Sequence, residues 1–256
     1  MSMKSSNGFT AMTVAEFAAW LPAQKVTRGI TRIQIHHTAA PNYTTWNKLP
    51  NPLQLQKNMR DFHVNSCGWA DIAQQFTVCP DGTIVTGRSM NKAPAGIIGA
   101  NSGAICIENI GNFDKGGDIM TTVQADAIVA IVALLLKRFG LTPDHITYHA
   151  WWTASGGSLG TYVPGKSCKT CPGTNFFGGN TREAFNKNFR ERVVKYMAGN
   201  VLKIEEYTDI ESIAWDLNHR GIVDDKQGLI DAVKTEPNGR LYWLARKTLQ
   251  YIRERD

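Results

Sequence analysis

Ile33 and Ile35 alternate with Arg32, Gln34 and His36, the period-two pattern of a strand with one buried face. Ahead of it, Thr13 is followed three residues later by Glu16 and then by Phe17, Ala18, Trp20 and Leu21. That spacing predicts a capping box opening a short helix, which Pro22 limits. Residues 41–52 hold three prolines with Tyr43 and Trp46 and predict a surface loop that leads into a helix over 53–65. Strand patterns over 72–78 and 83–87 flank the turn signal Pro80-Asp81-Gly82, so they predict a hairpin. The apolar run Ala104-Ile105-Cys106-Ile107 predicts a buried strand within 102–110. Residues 121–139 form an almost continuous apolar helix, ended by Gly140. Residues 141–179 are rich in Gly, Ser, Thr and Pro, and a long irregular segment inside a compact domain is often functional. Within it, His149 follows a short strand-like Ile-Thr-Tyr step. Beyond Thr181 the pattern turns helical over 182–197, 209–221 and 239–255.

These elements predict an α/β fold, a mixed central β-sheet flanked by helices, with a small C-terminal helical module. A domain over 1–197 and a module over 201–256 divide the chain. Length agrees, since 256 residues exceed one ordinary domain. The chain carries 28 basic and 22 acidic residues, and most of that excess lies before Asn186. A positive field favours polyanionic partners such as a cell wall bearing anionic polymers. No basic cluster or nucleic-acid motif is present, which argues against nucleic acid. No stretch approaches the apolar length of a membrane span, so membrane insertion is not expected. Met1–Thr10 lack the apolar core of a secretory leader, and the expectation is a protein made in the cytoplasm. Five cysteines, an odd number, make a disulfide framework the weaker reading; Cys67 and Cys79 could pair only if geometry allows.

Three zinc-competent groups stand at the ends of ordered segments: His36 or His37, His149, and Cys171. Two imidazoles and a thiolate with an open fourth position are the donor set of a catalytic zinc site. Spacing alone does not select this reading, because scattered histidines that are merely hydrogen-bonded would look the same.

The wording around these residues does select it. Ile33-Gln-Ile-His-His-Thr-Ala39, Gly68-Trp-Ala-Asp-Ile72, Phe76-Thr-Val78 with Pro80-Asp-Gly-Thr-Ile84 and Gly87-Arg88, Asn101-Ser-Gly-Ala-Ile-Cys-Ile107 with Gly111-Asn-Phe113, and Lys169-Thr-Cys-Pro-Gly173 occur in this order. Together they resemble the type 2 N-acetylmuramoyl-L-alanine amidases, whose domain the peptidoglycan recognition proteins share, over about residues 28–180. The resemblance implies one Zn²⁺ held by His36, His149 and Cys171, with His36 matching the ligand position and His37 left as a neighbouring groove residue. It implies hydrolysis of the lactyl-L-alanine amide of bacterial peptidoglycan. Lys169 would stabilise the oxyanion, and Trp69 and Arg88 are candidate substrate contacts, with structural roles in the hairpin as the equal alternative. Gln74 stands where many active relatives have tyrosine, and an amide cannot transfer a proton as a phenol can. The 21 residues between His149 and Cys171, with Trp151, Trp152 and Tyr162, are expected to wall the groove. Cys168 lies close enough in sequence to compete for the metal. The absence of a leader fits a phage or prophage endolysin. A non-catalytic peptidoglycan-binding protein of the same fold is the alternative; such proteins usually lack a zinc ligand, and here all three are present.

Overall fold

A computed structural model describes residues 3–198, all within one compact unit, Ser2–Gly199. The expected module over 201–256 and its two helices lie outside the described residues. Seven strands make one mixed sheet: β1 (Lys4–Ser6), β2 (Phe9–Met12), β3 (Arg32–His37), β4 (Phe76–Val78), β5 (Ile84–Thr86), β6 (Ala104–Asn109) and β7 (Ile146–Tyr148), in the order β1-β2-β5-β4-β6-β3-β7. β4, β6, β3 and β7 run parallel; β1, β2 and β5 extend the sheet as antiparallel hairpin partners.

The expected helices form where their caps are. α1 (Val14–Trp20) opens on Thr13 and Glu16 in a reciprocal capping box. α2 (Tyr43–Lys48) occupies part of the segment expected to be loop, because Asn42 accepts from the Thr45 amide and starts a helix between the prolines. α3 (Pro52–Asp61) begins on Asn51 and runs into a wide turn, Phe62–Ser66. α4 (Thr122–Phe139) is capped by Thr121 and ends where Gly140 takes φ 66°, a left-handed conformation glycine adopts without a Cβ penalty. α5 (Arg182–Ala184), a wide turn over Phe185–Arg190 and α6 (Glu191–Met197) fulfil the helix expected over 182–197. Among the described residues no helix is long and apolar enough to cross a membrane.

Alternation gives the sheet two chemically different faces. Ile33, Ile35, Ile105 and Ile107 point one way, with Ile146 and Tyr148 in register beside β3. The ring of Tyr148 joins an aromatic cluster with Trp151, Phe176, Phe185 and Phe189. α4 packs on β3, β4 and α6 and buries eleven of its residues, each large apolar side chain contributing about 1.5–3 kcal/mol. Gln34, His36, Cys106 and Glu108 point the other way. That face is polar, yet Gln34 and Cys106 are wholly buried.

The strand expected over 72–78 shrinks to β4: the Ile72 and Ala73 amides donate to side chains, Asp71 Oδ1 and His63 Nδ1, and backbone pairing towards β5 and β6 begins only at Gln74 and Gln75. Gln75 Oε1 accepts from the Cys106 amide. All five cysteines are free thiols.

Candidate metal centre

In-register pairing sets four polar side chains side by side. Thr77 is opposite Glu108, and Glu108 is opposite His36. His149 follows Tyr148, which pairs with Ile35, so it continues the same row at the carboxyl ends of the parallel strands, where open α/β sheets place their ligands. The His36 and His149 rings lie 4.9 Å apart at 67°. The chain returns to them at Cys171, whose carbonyl accepts from the Ala150 amide at 2.7 Å. This loop is held by Asp114, which accepts from Thr170 Oγ1 and the Thr174 amide, and by Asn180, which donates to the Thr170 carbonyl.

One donor atom from each of His36, His149 and Cys171 lies within 4.8 Å of the others. Cys171 Sγ stands 3.5 Å from His36 Nδ1. Two ligands bound tetrahedrally to one zinc, with Zn–S near 2.3 Å and Zn–N near 2.05 Å, would stand about 3.6 Å apart. The His37 amide donates to the same sulfur at 3.4 Å, a contact that favours thiolate. Donor chemistry and spacing therefore fit a zinc ion.

Electrostatics keep the imidazoles neutral and ready to ligate. Burial lowers the pKa of His36 well below the usual histidine value, helped by His149 and Lys169. Burial lowers His149 to about 4, again with Lys169 contributing. Burial raises the Cys171 thiol, and nearby Glu108 raises it further. Lys169 is exposed, and its charge acts on all three groups, so the structure gathers these four expected residues.

Sequence reasoning missed Glu108. Its Oε1 is 3.9 Å from His36 Nδ1, and burial lifts its pKa to about 8 against the pull of Lys169. The side chain keeps 19% exposure, but its Oε2 is sealed from solvent and has no hydrogen-bond partner among the described residues. The one trace in the sequence is a carboxylate inside the largely apolar β6; that it stands opposite His36 follows only from the strand pairing.

The other expected site residues make their side-chain contacts outside the donor set. Gln74 is fully buried; its Nε2 donates to Thr77 Oγ1 at 2.9 Å, and Thr77 in turn donates to Gln56. It thus supports the row through Thr77, while its Oε1 is buried with no hydrogen-bond partner among the described residues. Arg88 spends its guanidinium on the carbonyls of Ile72, Ala93 and Asp71, a brace for the loop before β4. His37 points to the opposite face from His36; its Nδ1 accepts from the Phe113 amide at 3.1 Å. Trp69 is exposed and stacks on His63 at 4.8 Å. Trp151, expected in the groove wall, is a core residue: it is 1% exposed, donates to the Asn180 carbonyl and lies under Arg182. Trp152 is half-buried, with Nε1 donating to Thr147.

A mixed α/β sheet with two imidazoles at the ends of parallel strands, and a thiol that a loop returns to them, defines a donor set able to hold one metal ion. The chain belongs to the N-acetylmuramoyl-L-alanine amidase family Amidase_2, whose model matches residues 26–174. It is 32% identical to peptidoglycan-recognition protein SC2 of Drosophila melanogaster over 143 residues, covering 56% of this chain and 68% of that protein. Among solved structures it is similar to bumblebee PGRP-SA, at 23% identity and TM-score 0.47, covering 63% of this chain and 83% of that one. It is also similar to the N-acetylmuramoyl-L-alanine amidase LysC of Clostridium intestinale, at 22% identity and TM-score 0.44, covering 64% and 90%.

Proposed function

We propose that the protein is a zinc-dependent N-acetylmuramoyl-L-alanine amidase acting on bacterial peptidoglycan. The observation that carries this reading is the complete donor set, His36, His149 and Cys171, beside a buried carboxyl and a lysine. A pure binder has no need of all of these together. Bound zinc would polarise the lactyl carbonyl and acidify an attacking water. The Lys169 ammonium, joined by a cation held on the three donors, would favour the carboxylate form of Glu108. Glu108 then takes the water proton as the new C–O bond forms, and delivers it to the alanine nitrogen as the C–N bond breaks. Lys169 faces the negative charge that develops on the carbonyl oxygen. Cys171 and the two histidines hold their positions throughout.

Digestion of purified peptidoglycan tests the reading. New amino termini on L-alanine, identified by mass spectrometry, support it. New reducing sugar ends refute it, and intact peptidoglycan that is nonetheless bound would establish the non-catalytic alternative. Lys169→Ala is expected to leave zinc content unchanged and to lower kcat by roughly 10²- to 10³-fold, with a smaller change in KM. Steady-state kinetics with metal analysis on the same preparation checks this. A fall in zinc that matched the fall in kcat would place Lys169 in metal retention instead.

A further inference from the structure

A histidine that binds a metal through Nδ1 must carry its proton on Nε2, and such rings almost always donate that proton to an acceptor. His36 Nε2 is buried with no hydrogen-bond partner among the described residues, and so is Gln34 Oε1. Gln34 sits two residues before His36 on β3, hence on the same face. Its amide cannot turn freely: Nε2 donates to the Ala100 carbonyl at 2.9 Å and lies 3.4 Å from Asn101 Oδ1, which leaves Oε1 facing inward. Asn101 Oδ1 in turn accepts from the amides of Gly96 and Ile97 at 2.9 Å each, so the 96–101 loop and the Gln34 amide form one unit. Both orphaned atoms border the hydrogen-sized space beside the Gly96 Cα. A Cβ on Gly96 would overlap Gln34 Oε1 and come within 3.0 Å of His36 Nε2 and 3.2 Å of Cys106 Sγ. Gly96 does not have a left-handed backbone, so what this position requires is room, not a special conformation.

We propose that Gln34 is a positioning residue for the metal centre: its Oε1 is the acceptor for the His36 Nε2–H, and Gly96 keeps the space for that contact open. The arrangement fixes the tautomer that leaves Nδ1 free to ligate and aims the ring at Cys171. The inference rests on the zinc reading of His36, His149 and Cys171.

Zinc dissociation constants, measured by competition with a chromogenic chelator, test it without reference to turnover. Gln34→Leu removes the acceptor at similar volume and is expected to weaken zinc binding roughly 10- to 100-fold. Gln34→Glu keeps an acceptor and is expected to hold affinity at or above that of the parent. In nitrogen-15 spectra of the zinc-loaded parent the His36 Nε2–H should be protected from exchange, and in Gln34→Leu it should shift and exchange faster. Gly96→Ala leaves Gln34 in place but fills the gap, and should also weaken zinc at least about 10-fold; it provides the affinity test should Gln34→Leu fail to fold. Parental affinity with an unchanged Nε2–H signal in Gln34→Leu, or parental affinity in Gly96→Ala, overturns the inference while leaving the metal site standing. A parent chain that takes up no zinc overturns both.

Discussion

Cys171→Ser is expected to strip the protein of zinc and of activity while leaving it folded. A serine hydroxyl stays protonated where a thiol ionises, and it is a far poorer zinc donor. The site would then offer only two imidazoles, and zinc content after dialysis should fall below roughly a tenth of an ion per chain. Folding should survive, because the aromatic cluster of Tyr148, Phe176, Phe185 and Phe189 and the buried face of α4 do not depend on this sulfur. Metal analysis, a melting curve and a turnover assay on one preparation check all three claims. Retained zinc with full turnover would move the thiolate role to Cys168, whose Sγ lies 3.8 Å from the His149 carbonyl oxygen. In the parent, burial raises the Cys171 thiol, so zinc uptake releases a proton and tightens as pH rises.

Glu108→Gln should separate proton transfer from metal binding. The amide keeps the shape and loses the titratable proton, so kcat is expected to drop by roughly 10²- to 10⁴-fold with zinc retained. The same variant has a second signature in the metal-free protein. Burial holds the Glu108 pKa at about 8, against 4.5 as the ordinary value, so the folded state keeps a proton that the unfolded chain has lost. The associated stability is complete below the ordinary value and disappears as pH rises through about 8, a change on the order of a few kcal/mol. His149 acts in the other direction. Lowered to about 4 from 6.5, it contributes stability that is present above 6.5 and lost as pH falls through about 4. Melting curves from pH 4 to 9 in chelator should therefore show both limbs in the parent and only the acidic limb in Glu108→Gln. An unchanged alkaline limb would show that Glu108 does not carry the buried proton.

Much of this architecture is legible in the sequence wherever local signals and burial agree. The Thr13–Glu16 box, the alternation through Ile33 and Ile35, the Pro80-Asp81-Gly82 turn and the apolar stretch ended by Gly140 each specify an element that forms. The β1–β2 hairpin left no comparable signal. β1 is exposed along its whole length, and its pairing depends on β2 meeting β5 some seventy residues away. The three metal-competent residues could be named because short motifs surround them. Glu108, Gln34 and Gly96 could not, since their roles come from which strand lies beside which. Gln74 and Arg88 were legible as motif positions, whereas the partners of their side chains, Thr77 for one and the carbonyls of Ile72, Ala93 and Asp71 for the other, follow from the folded loop and not from the motif.

The row Thr77, Glu108, His36 and His149 exists only in one register of four neighbouring strands. Sliding β3 by a single residue would send His36 to the isoleucine side and bring His37 into its place. Such a chain could remain compact and helical, and circular dichroism would hardly distinguish it from the native form. If the proposed zinc site holds, stoichiometric zinc uptake would double as a quality-control assay for recombinant material: it would count the molecules whose sheet has zipped correctly, which a melting curve or a gel-filtration peak does not.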